Sequence, residues 1–579
     1  MQLIRIKLLS DFRSLKKNFE MNFSQEAVPN EEQLINPICL VGKNGTGKSN
    51  TLQVFCEIFF YLESLLLDYP SKIIQLPKSF GFELEYKFQI EYQDEFIQWS
   101  DPKFIWDDYR HVRIIKKPKN EEPSYNLIDK NGNSLNVKRA QDTIRELKEK
   151  IKSLLPKKVI GYSSGLNELI SNPFLKMQFH YFHEYQQRLQ EDVLDGFEDG
   201  KLLYMNYESN AAVVVSNFLL QDKEKLKILD DTLECAGLDS FRICIEMGNT
   251  VEIDPDARSN ESTADLTDFF KRQINDLKKC SSTFYERDFA DPLTSEIKTL
   301  LVLDFKVDFA TKAAFSHYFG NTYALYSLFH KLNLLNIAKI SSEKRDIVRN
   351  AVSGTNISDV LPKLSSDQLL FRIENVRLLK SDLKTTINYK NISDGEHQFM
   401  HIIGTSMIMN EPRSLFILDE PETHFNPKWR SKLINTLNKI EKAEIEIQKR
   451  NNIIRVNKGV EIMLTTHSPF IISDSYRTKV WKFNKINNKL VYDLIPVRTY
   501  GTSFSVLLDE AFDKSETVSE MSGAYIGTLR KNIENIDLDN DSLEMIKSLQ
   551  TKVLELGESV EKFELYSYLN ALTKINKPS

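Results

Sequence analysis

The run Val41-Gly42-Lys43-Asn44-Gly45-Thr46-Gly47-Lys48-Ser49-Asn50 fits G-x-x-x-x-G-K-[ST] without a mismatch. Gly42, Gly45 and Gly47 let successive backbone N–H groups point inward at a triphosphate, and a helix starting there adds roughly half a positive charge. Lys48 is placed to reach the β- and γ-phosphates of a nucleoside triphosphate, and the Ser49 hydroxyl to ligate Mg²⁺. Asn44, Thr46 and Asn50 complete the binding set around the glycines.

Three later stretches carry matching chemistry. Ser414-Leu415-Phe416-Ile417-Leu418-Asp419-Glu420-Pro421-Glu422-Thr423-His424-Phe425-Asn426-Pro427 is an apolar run that ends in acids. A buried parallel strand delivers carboxylates to a site in this way. Asp419 then belongs to the Mg²⁺ shell, and Glu420 orients and deprotonates the attacking water. Glu461-Ile462-Met463-Leu464-Thr465-Thr466-His467-Ser468-Pro469 is a second such run, whose His467 is suited to sense the γ-phosphate through a hydrogen bond. In Asn391-Ile392-Ser393-Asp394-Gly395-Glu396-His397-Gln398, Ser393 and Glu396 form an S-x-x-E capping box ahead of the apolar helix Phe399 to Met409. Capping explains Ser393. It leaves Gly395 unexplained, because a first-turn glycine costs about 1 kcal/mol against alanine. A helix N-terminus with a serine hydroxyl and open backbone can also accept a γ-phosphate from another subunit.

The elements needed to position these residues are legible. Ile38-Cys39-Leu40-Val41 reads as a buried strand before the glycine loop, and Leu52, Phe55, Cys56, Phe59 and Phe60 fall at helical spacing after it. Period-two alternation from Gly81 to Ile90, with His111 to Ile115 and Tyr125 to Ile128, predicts an antiparallel sheet. A charged helix over Gln141 to Leu155 stops at Pro156, before a strand from Lys158 to Tyr162. Residues 165–366 read as mainly helical and rich in aromatics, with a strand at Phe241 to Met247, and lack sustained heptads. Leu369 to Leu379 and Thr385 to Tyr389 form a hairpin.

Composition narrows the class. A chain of 579 residues holds two to four structural units at about 150 residues each. Hydrophobic residues at 41% and charged residues at 27% are those of an ordinary globular chain. The apolar stretch from Phe59 to Leu67 is interrupted by Glu63 and is too short for a bilayer, and the N-terminus alternates like a strand, so a cytoplasmic location is expected. Cys39, Cys56, Cys235, Cys244 and Cys280 lack any C-x-x-C pairing and read as reduced thiols. A net charge of −6 argues against wholesale coating by nucleic acid but leaves room for a local groove. The basic clusters at Arg113 to Lys119 and Lys148 to Lys158 read as solvated faces.

Taken as a set, G-K-N-G-T-G-K-S, S-D-G-E-H-Q, L-D-E-P-E-T-H-F-N-P and T-T-H-S-P-F resemble the ABC-type ATPases of the RecF, SMC and OLD group, of AAA_21 type. Among these they look most like the defence ATPases of the Septu and retron-associated PtuA kind. The resemblance covers residues of about 1–90 and 367–475. It implies an α/β ABC-type ATPase head, with a phosphate-loop sheet, an antiparallel β subdomain, a mainly helical insertion and a helical C-terminal segment. The expected divisions are 1–164, 165–366, 367–503 and 504–579. It also implies ATP and Mg²⁺ as cofactors and a head-to-tail homodimer or higher oligomer. In that assembly Ser393 and Gly395 of one copy face the phosphate loop of the other. The implied output is control of a separately encoded nuclease or toxin in anti-phage defence, with nucleic acid as a further partner and no membrane. The alternative is a DNA-repair or chromosome-maintenance ATPase that clamps DNA directly. The signature departs from the transporter form, reading Ile-Ser-Asp-Gly-Glu, so a transporter subunit is disfavoured. No residue is assigned to the glutamine loop.

Three further motifs compete with this reading. Gly161-Tyr162-Ser163-Ser164-Gly165 matches the G-x-S-x-G nucleophile elbow, but lacks a coherent acid and histidine context and reads as a turn near the nucleotide. His180 and His183, with Glu184 adjacent, hint at a metal site without a third ligand, so aromatic core packing is preferred. Asp537-Leu538-Asp539-Asn540-Asp541 resembles the acidic pair of a TOPRIM nuclease, but precedes a helix where acids are ordinary caps.

Overall fold

Every residue of Ile38–Gly42, Ser414–Asp419 and Glu461–Thr465 is buried. Strands with no wet face belong inside a sheet covered on both sides, the setting of parallel strands. In the computed structural model they form the centre of a seven-stranded sheet. Its order is Lys489–Leu494, Val480–Ile486, Ile38–Gly42, Glu461–Thr465, Ser414–Asp419, Lys158–Ser163 and Leu202–Tyr204. All neighbours are parallel except the edge pair Lys489–Leu494 and Val480–Ile486. The described residues are 1–23, 34–69, 80–89, 109–119, 122–140, 142–165, 168–193, 199–252, 263–290, 297–351, 355, 357–381, 385–411, 413–450, 460–487, 489–514, 518–536 and 542–575.

The helix Lys48–Ser64 is buried around most of its circumference, with Leu52, Phe55, Cys56 and Phe60 in the core. Such a helix requires packing on several sides. At the strand preceding it, Gly42 has φ 130°, and a Cβ there would sit 2.1 Å from the Phe483 carbonyl oxygen of the neighbouring strand. Only glycine admits that approach.

A six-stranded antiparallel sheet holds Glu20–Asn22, Gln2–Leu8, Phe82–Gln89, Tyr109–Lys116, Ser124–Ile128 and Ser134–Asn136 in that order. It is the antiparallel subdomain expected from the alternation. On it Glu85 collects Arg5 at 3.1 Å, Arg113 at 2.9 Å and His111 at 3.1 Å. Burial alone would raise the Glu85 carboxyl, but these partners outweigh it and hold the pKa at about 2.

The stretch 165–366 contains the helices Glu168–Gln190, Tyr207–Leu220, Lys223–Leu233, Lys271–Cys280, Phe309–Phe319, Thr322–Leu334 and Ser342–Asn350. It also contributes strands to a five-stranded antiparallel sheet ordered Thr283–Ala290, Ile297–Lys306, Cys235–Met247, Phe371–Lys380 and Thr386–Asn388. The strand expected at Phe241 to Met247 is thus the second half of a 13-residue strand at the centre of a sheet.

Contacts divide the chain into Met1–Thr502 and Ser503–Ser579. The second unit consists of helices Phe504–Phe512, Glu520–Glu534, Ser542–Leu554 and Val560–Ile575. Its core includes Ile526, Leu529, Ile533, Ile546, Leu549, Val553, Leu565 and Leu569. No helix among the described residues is long and apolar enough to cross a membrane. All five cysteines are free and buried.

Candidate functional site

Parallel pairing brings several strand ends to one edge of the sheet. Asp419 lies opposite Thr465 on one side and Ser163 on the other, and Thr465 lies opposite Leu40, just before the phosphate loop. Ligands of open α/β sheets bind at this carboxyl edge.

The loop itself is built by Gly42, Gly45 and Gly47, at φ 130°, 76° and 92°. Gly47 caps the helix Lys48–Ser64 without any side-chain cap, so its first-turn N–H groups face outward. Thr46 Oγ1 donates to the Lys43 carbonyl at 2.7 Å and closes the turn. The Lys48 ammonium, mostly buried, donates to the carbonyls of Gly42 at 2.7 Å and Lys43 at 2.9 Å. Burial pulls its pKa down, opposed by Glu420 and Asp419. A cation held by neutral carbonyls gains when an anion replaces them. Asn44 is exposed, and Asn50 Nδ2 donates to Ser14 Oγ at 2.6 Å, tying the helix start to the turn 12–15.

Across the edge, Ser49 Oγ donates to Asp419 Oδ1 at 3.0 Å, and Thr465 Oγ1 donates to the same oxygen at 2.6 Å. A hydroxyl and a carboxylate at this distance are the protein's donors for a hard cation, so the residues present fit Mg²⁺. Glu420 takes φ 50°, and its N–H donates to Thr465 Oγ1 at 3.0 Å. That unusual backbone turns Glu420 away from the buried course of the strand, and its side chain is 39% exposed, open to water. His467 Nε2 lies 3.5 Å from Glu420 Oε1. Burial and nearby Lys48 lower the His467 pKa, so at neutral pH the ring is uncharged and the contact is no salt bridge.

Lys48, Ser49, Asp419, Glu420 and His467 therefore meet. Ser393 and Gly395 do not join them by any hydrogen bond among the described residues. Ser393 caps the helix Asp394–Ile408: its Oγ receives the Glu396 N–H at 3.3 Å, and Glu396 Oε2 accepts from Ser393 N–H at 3.0 Å. The hydroxyl also donates to Glu396 Oε2 at 2.9 Å, and the residue is exposed. Gly395 has a packing cause: a Cβ there would lie 2.6 Å from the His424 carbonyl oxygen and 3.2 Å from the Trp429 ring. The helix start is thus fitted onto the turn that follows Glu420. His424 N–H donates to Gln398 Oε1 at 3.1 Å, while Gln398 Nε2 donates to Tyr162 Oη at 2.6 Å.

The sequence reading missed Thr465 and Glu422. Thr465 was visible only as a polar residue ending an apolar run. Glu422 is buried; its Oε1 accepts from Thr466 Oγ1 and, at 3.3 Å, from His467 N–H. Burial dominates these bonds and pushes its pKa up to about 7. It ties the turn after Glu420 to the segment presenting His467.

The competing motifs resolve on packing. A Cβ at Gly161 would lie 2.3 Å from the Phe174 ring, and Ser164 N–H donates to the Asp419 carbonyl at 3.1 Å. Against the expectation of a turn, Gly161 to Ser163 end the strand Lys158–Ser163 beside the acidic strand, and only Ser164 and Gly165 bend away from it. His180 is buried 6.0 Å from the Phe60 ring, and burial pushes it to about 3 and His183 to about 4. The Asp537 to Asp541 segment lies outside the described residues.

Residues 223–473 match the family model AAA_21, described as "AAA domain, putative AbiEii toxin, Type IV TA system". The matched residues make up less than half of the 579-residue chain, and over them the chain is similar to that family. The match spans the signature, the acidic strand and His467 but begins after the phosphate loop, which is supplied by the first strand and helix of the same sheet. Protein ea59 of Escherichia phage lambda is 23% identical over 176 residues, covering 27% of this chain and 31% of that protein. The chain thus spans about a third of that relative. The SMC head domain from Thermotoga maritima superposes on 86% of this chain and 100% of its own, at 11% identity and a TM-score of 0.29, too low to bear on the fold.

Proposed function

We propose that the ATPase domain binds and hydrolyses ATP and works as a dimeric conformational switch controlling a separately encoded nuclease or toxin in anti-phage defence. The supporting observation is the meeting of Ser49 with Asp419 at 3.0 Å and of Glu420 with His467 at 3.5 Å, from segments remote in the chain. Lys48 leaves the Gly42 and Lys43 carbonyls for the β- and γ-phosphates. Ser49 and Asp419 hold the Mg²⁺, which when bound neutralises phosphate charge. Glu420 accepts a proton from the attacking water, and neutral His467 donates a hydrogen bond to the γ-phosphate. Ser393 and the N-terminus of its helix complete the site from a second copy, so that ATP bridges the copies and its hydrolysis to ADP and phosphate releases them. The toxin and toxin–antitoxin system named in the matched family's description support a role in such a system.

Lys48→Ala should abolish ATP binding. Glu420→Gln should keep binding, lower turnover at least about a hundredfold and accumulate ATP-bound dimer. Ser393→Arg should bind ATP but fail to dimerise. Normal hydrolysis by Glu420→Gln would sink the assignment. Duplex-DNA binding that rises with ATP and falls steeply with salt, without a co-purifying effector, would favour the chromosome-maintenance alternative.

A further inference from the structure

A cavity of about 160 Å³ lies behind the signature helix, away from the phosphate loop residues. Tyr207, Tyr326, Phe329, Phe371, His330 and Tyr389 line it. A dry cavity of about this volume is large enough for one aromatic ring.

Its polar groups are unusual. Tyr389 is 5% exposed and its hydroxyl has no hydrogen-bond partner; Nδ1 of His330 is likewise buried and unpaired. Burial without a partner is unfavourable for such groups, so native chains rarely keep two in one cavity without an occupant. The pair is also uncharged at neutral pH. Burial lowers the His330 pKa to about 4, and raises that of the Tyr389 hydroxyl far above its ordinary value. Charged side chains on the wall are the pair Arg372 Nε and Glu374, 2.6 Å apart, and the exposed Glu208 and Lys390. The two unpaired groups, both neutral, suit a neutral occupant with flat faces and both donor and acceptor edges.

The wall is also shaped irregularly. Between Glu374 and Arg377 the strand Phe371–Lys380 slips against its neighbour, and Asn375 stands at φ 53°. Tyr389 belongs to the single turn immediately before Ser393, and its ring packs edge-on to His397 of the signature helix at 4.4 Å between centroids.

We propose that this cavity is a binding site for a small neutral nitrogen heteroaromatic, of free-nucleobase type, with Tyr389 and His330 meeting its edge and the aromatic walls its faces. An occupant would hold the Tyr389 ring, and through His397 the start of the signature helix. Binding itself does not depend on the ATPase reading.

The test is calorimetric titration of full-length Lys48→Ala protein, which removes the proposed ATP site as a competing locus, with adenine and benzimidazole as probes and toluene as apolar control. Adenine or benzimidazole should bind with unit stoichiometry, and toluene should not bind or should bind more weakly. Adding Tyr389→Phe should weaken the heteroaromatic about fivefold without lowering the melting temperature, because the hydroxyl it deletes has no partner in the free protein. Adding Ala211→Trp, on the partly exposed wall, should abolish binding. Absence of heteroaromatic binding up to the solubility limit overturns the proposal and leaves the cavity to water. So does toluene binding as tightly as the heteroaromatics, or a Tyr389→Phe protein with unchanged affinity.

Discussion

Glu422 illustrates how much a single buried carboxyl can carry. Its pKa of about 7 lies above the value of about 4.3 for an unfolded glutamate. The folded state therefore holds a proton that the unfolded chain has released, so stability falls as pH rises from about 4.3 to about 7 and is level above that. Glu422→Gln keeps an oxygen for Thr466 and His467 but has no proton to lose. It should flatten this part of the stability profile and be more stable than the parent at pH 8 by on the order of 2 kcal/mol, checked by urea unfolding across pH. Wild-type slope retained in the variant would refute the assignment. At the same scale Glu420, Asp419 and His467 were readable from the sequence, because acids or a histidine ending an apolar run are conspicuous. Glu422 was not, because its role depends on which backbone N–H it meets.

At the scale of elements, two glycines show how tightly the site's parts are fitted. Gly42 lets two parallel strands approach at Phe483, and Gly395 seats the signature helix against the His424 carbonyl. The capping box of Ser393 and Glu396 is local and was legible; the packing of Gly395 is not local, so its cause was hidden. Gly395→Ala should gain helix propensity but lose that seat. The expected outcome is a net destabilisation of about 1–3 kcal/mol, with ATP hydrolysis reduced more than ATP binding, read by thermal melts and steady-state kinetics. An alanine variant more stable than its parent, with full turnover, would show that the turn yields freely. The sheet through Cys235–Met247 was only half visible for a related reason. Thr283–Ala290 is exposed along almost all its length and carries no alternating signal, so only pairing with Ile297–Lys306 defines it as a strand.

For the whole molecule, the core of Ser503–Ser579 is separate from that of Met1–Thr502. Ile546→Ala, at a fully buried position, should lower the stability of the C-terminal unit by about 3 kcal/mol and leave the unfolding transition of Met1–Thr502 in place, as followed by calorimetry. A second expectation belongs to the proposed assembly. Mixing Lys48→Ala with Ser393→Arg protein leaves at most one intact composite site per heterodimer, so ATP-dependent dimer should reappear in the mixture although neither variant dimerises alone, as size-exclusion with light scattering would record. Failure of the mixture to dimerise would count against a site shared between copies.

The sequence by itself determined the phosphate-loop strand and helix, the acid-ended and histidine-ended strands, and the cap at Ser393. Each is set by neighbours within a few residues, through periodicity, turn chemistry or hydrogen bonds of short reach. Tertiary structure alone decided that Ser49 meets Asp419, that Thr465 and Glu422 brace Glu420 and His467, and that Gly161 and Gly395 are glycines for lack of room. These outcomes depend on parallel register between strands hundreds of residues apart. A one-residue slip would turn the same side chains to the opposite face of the sheet.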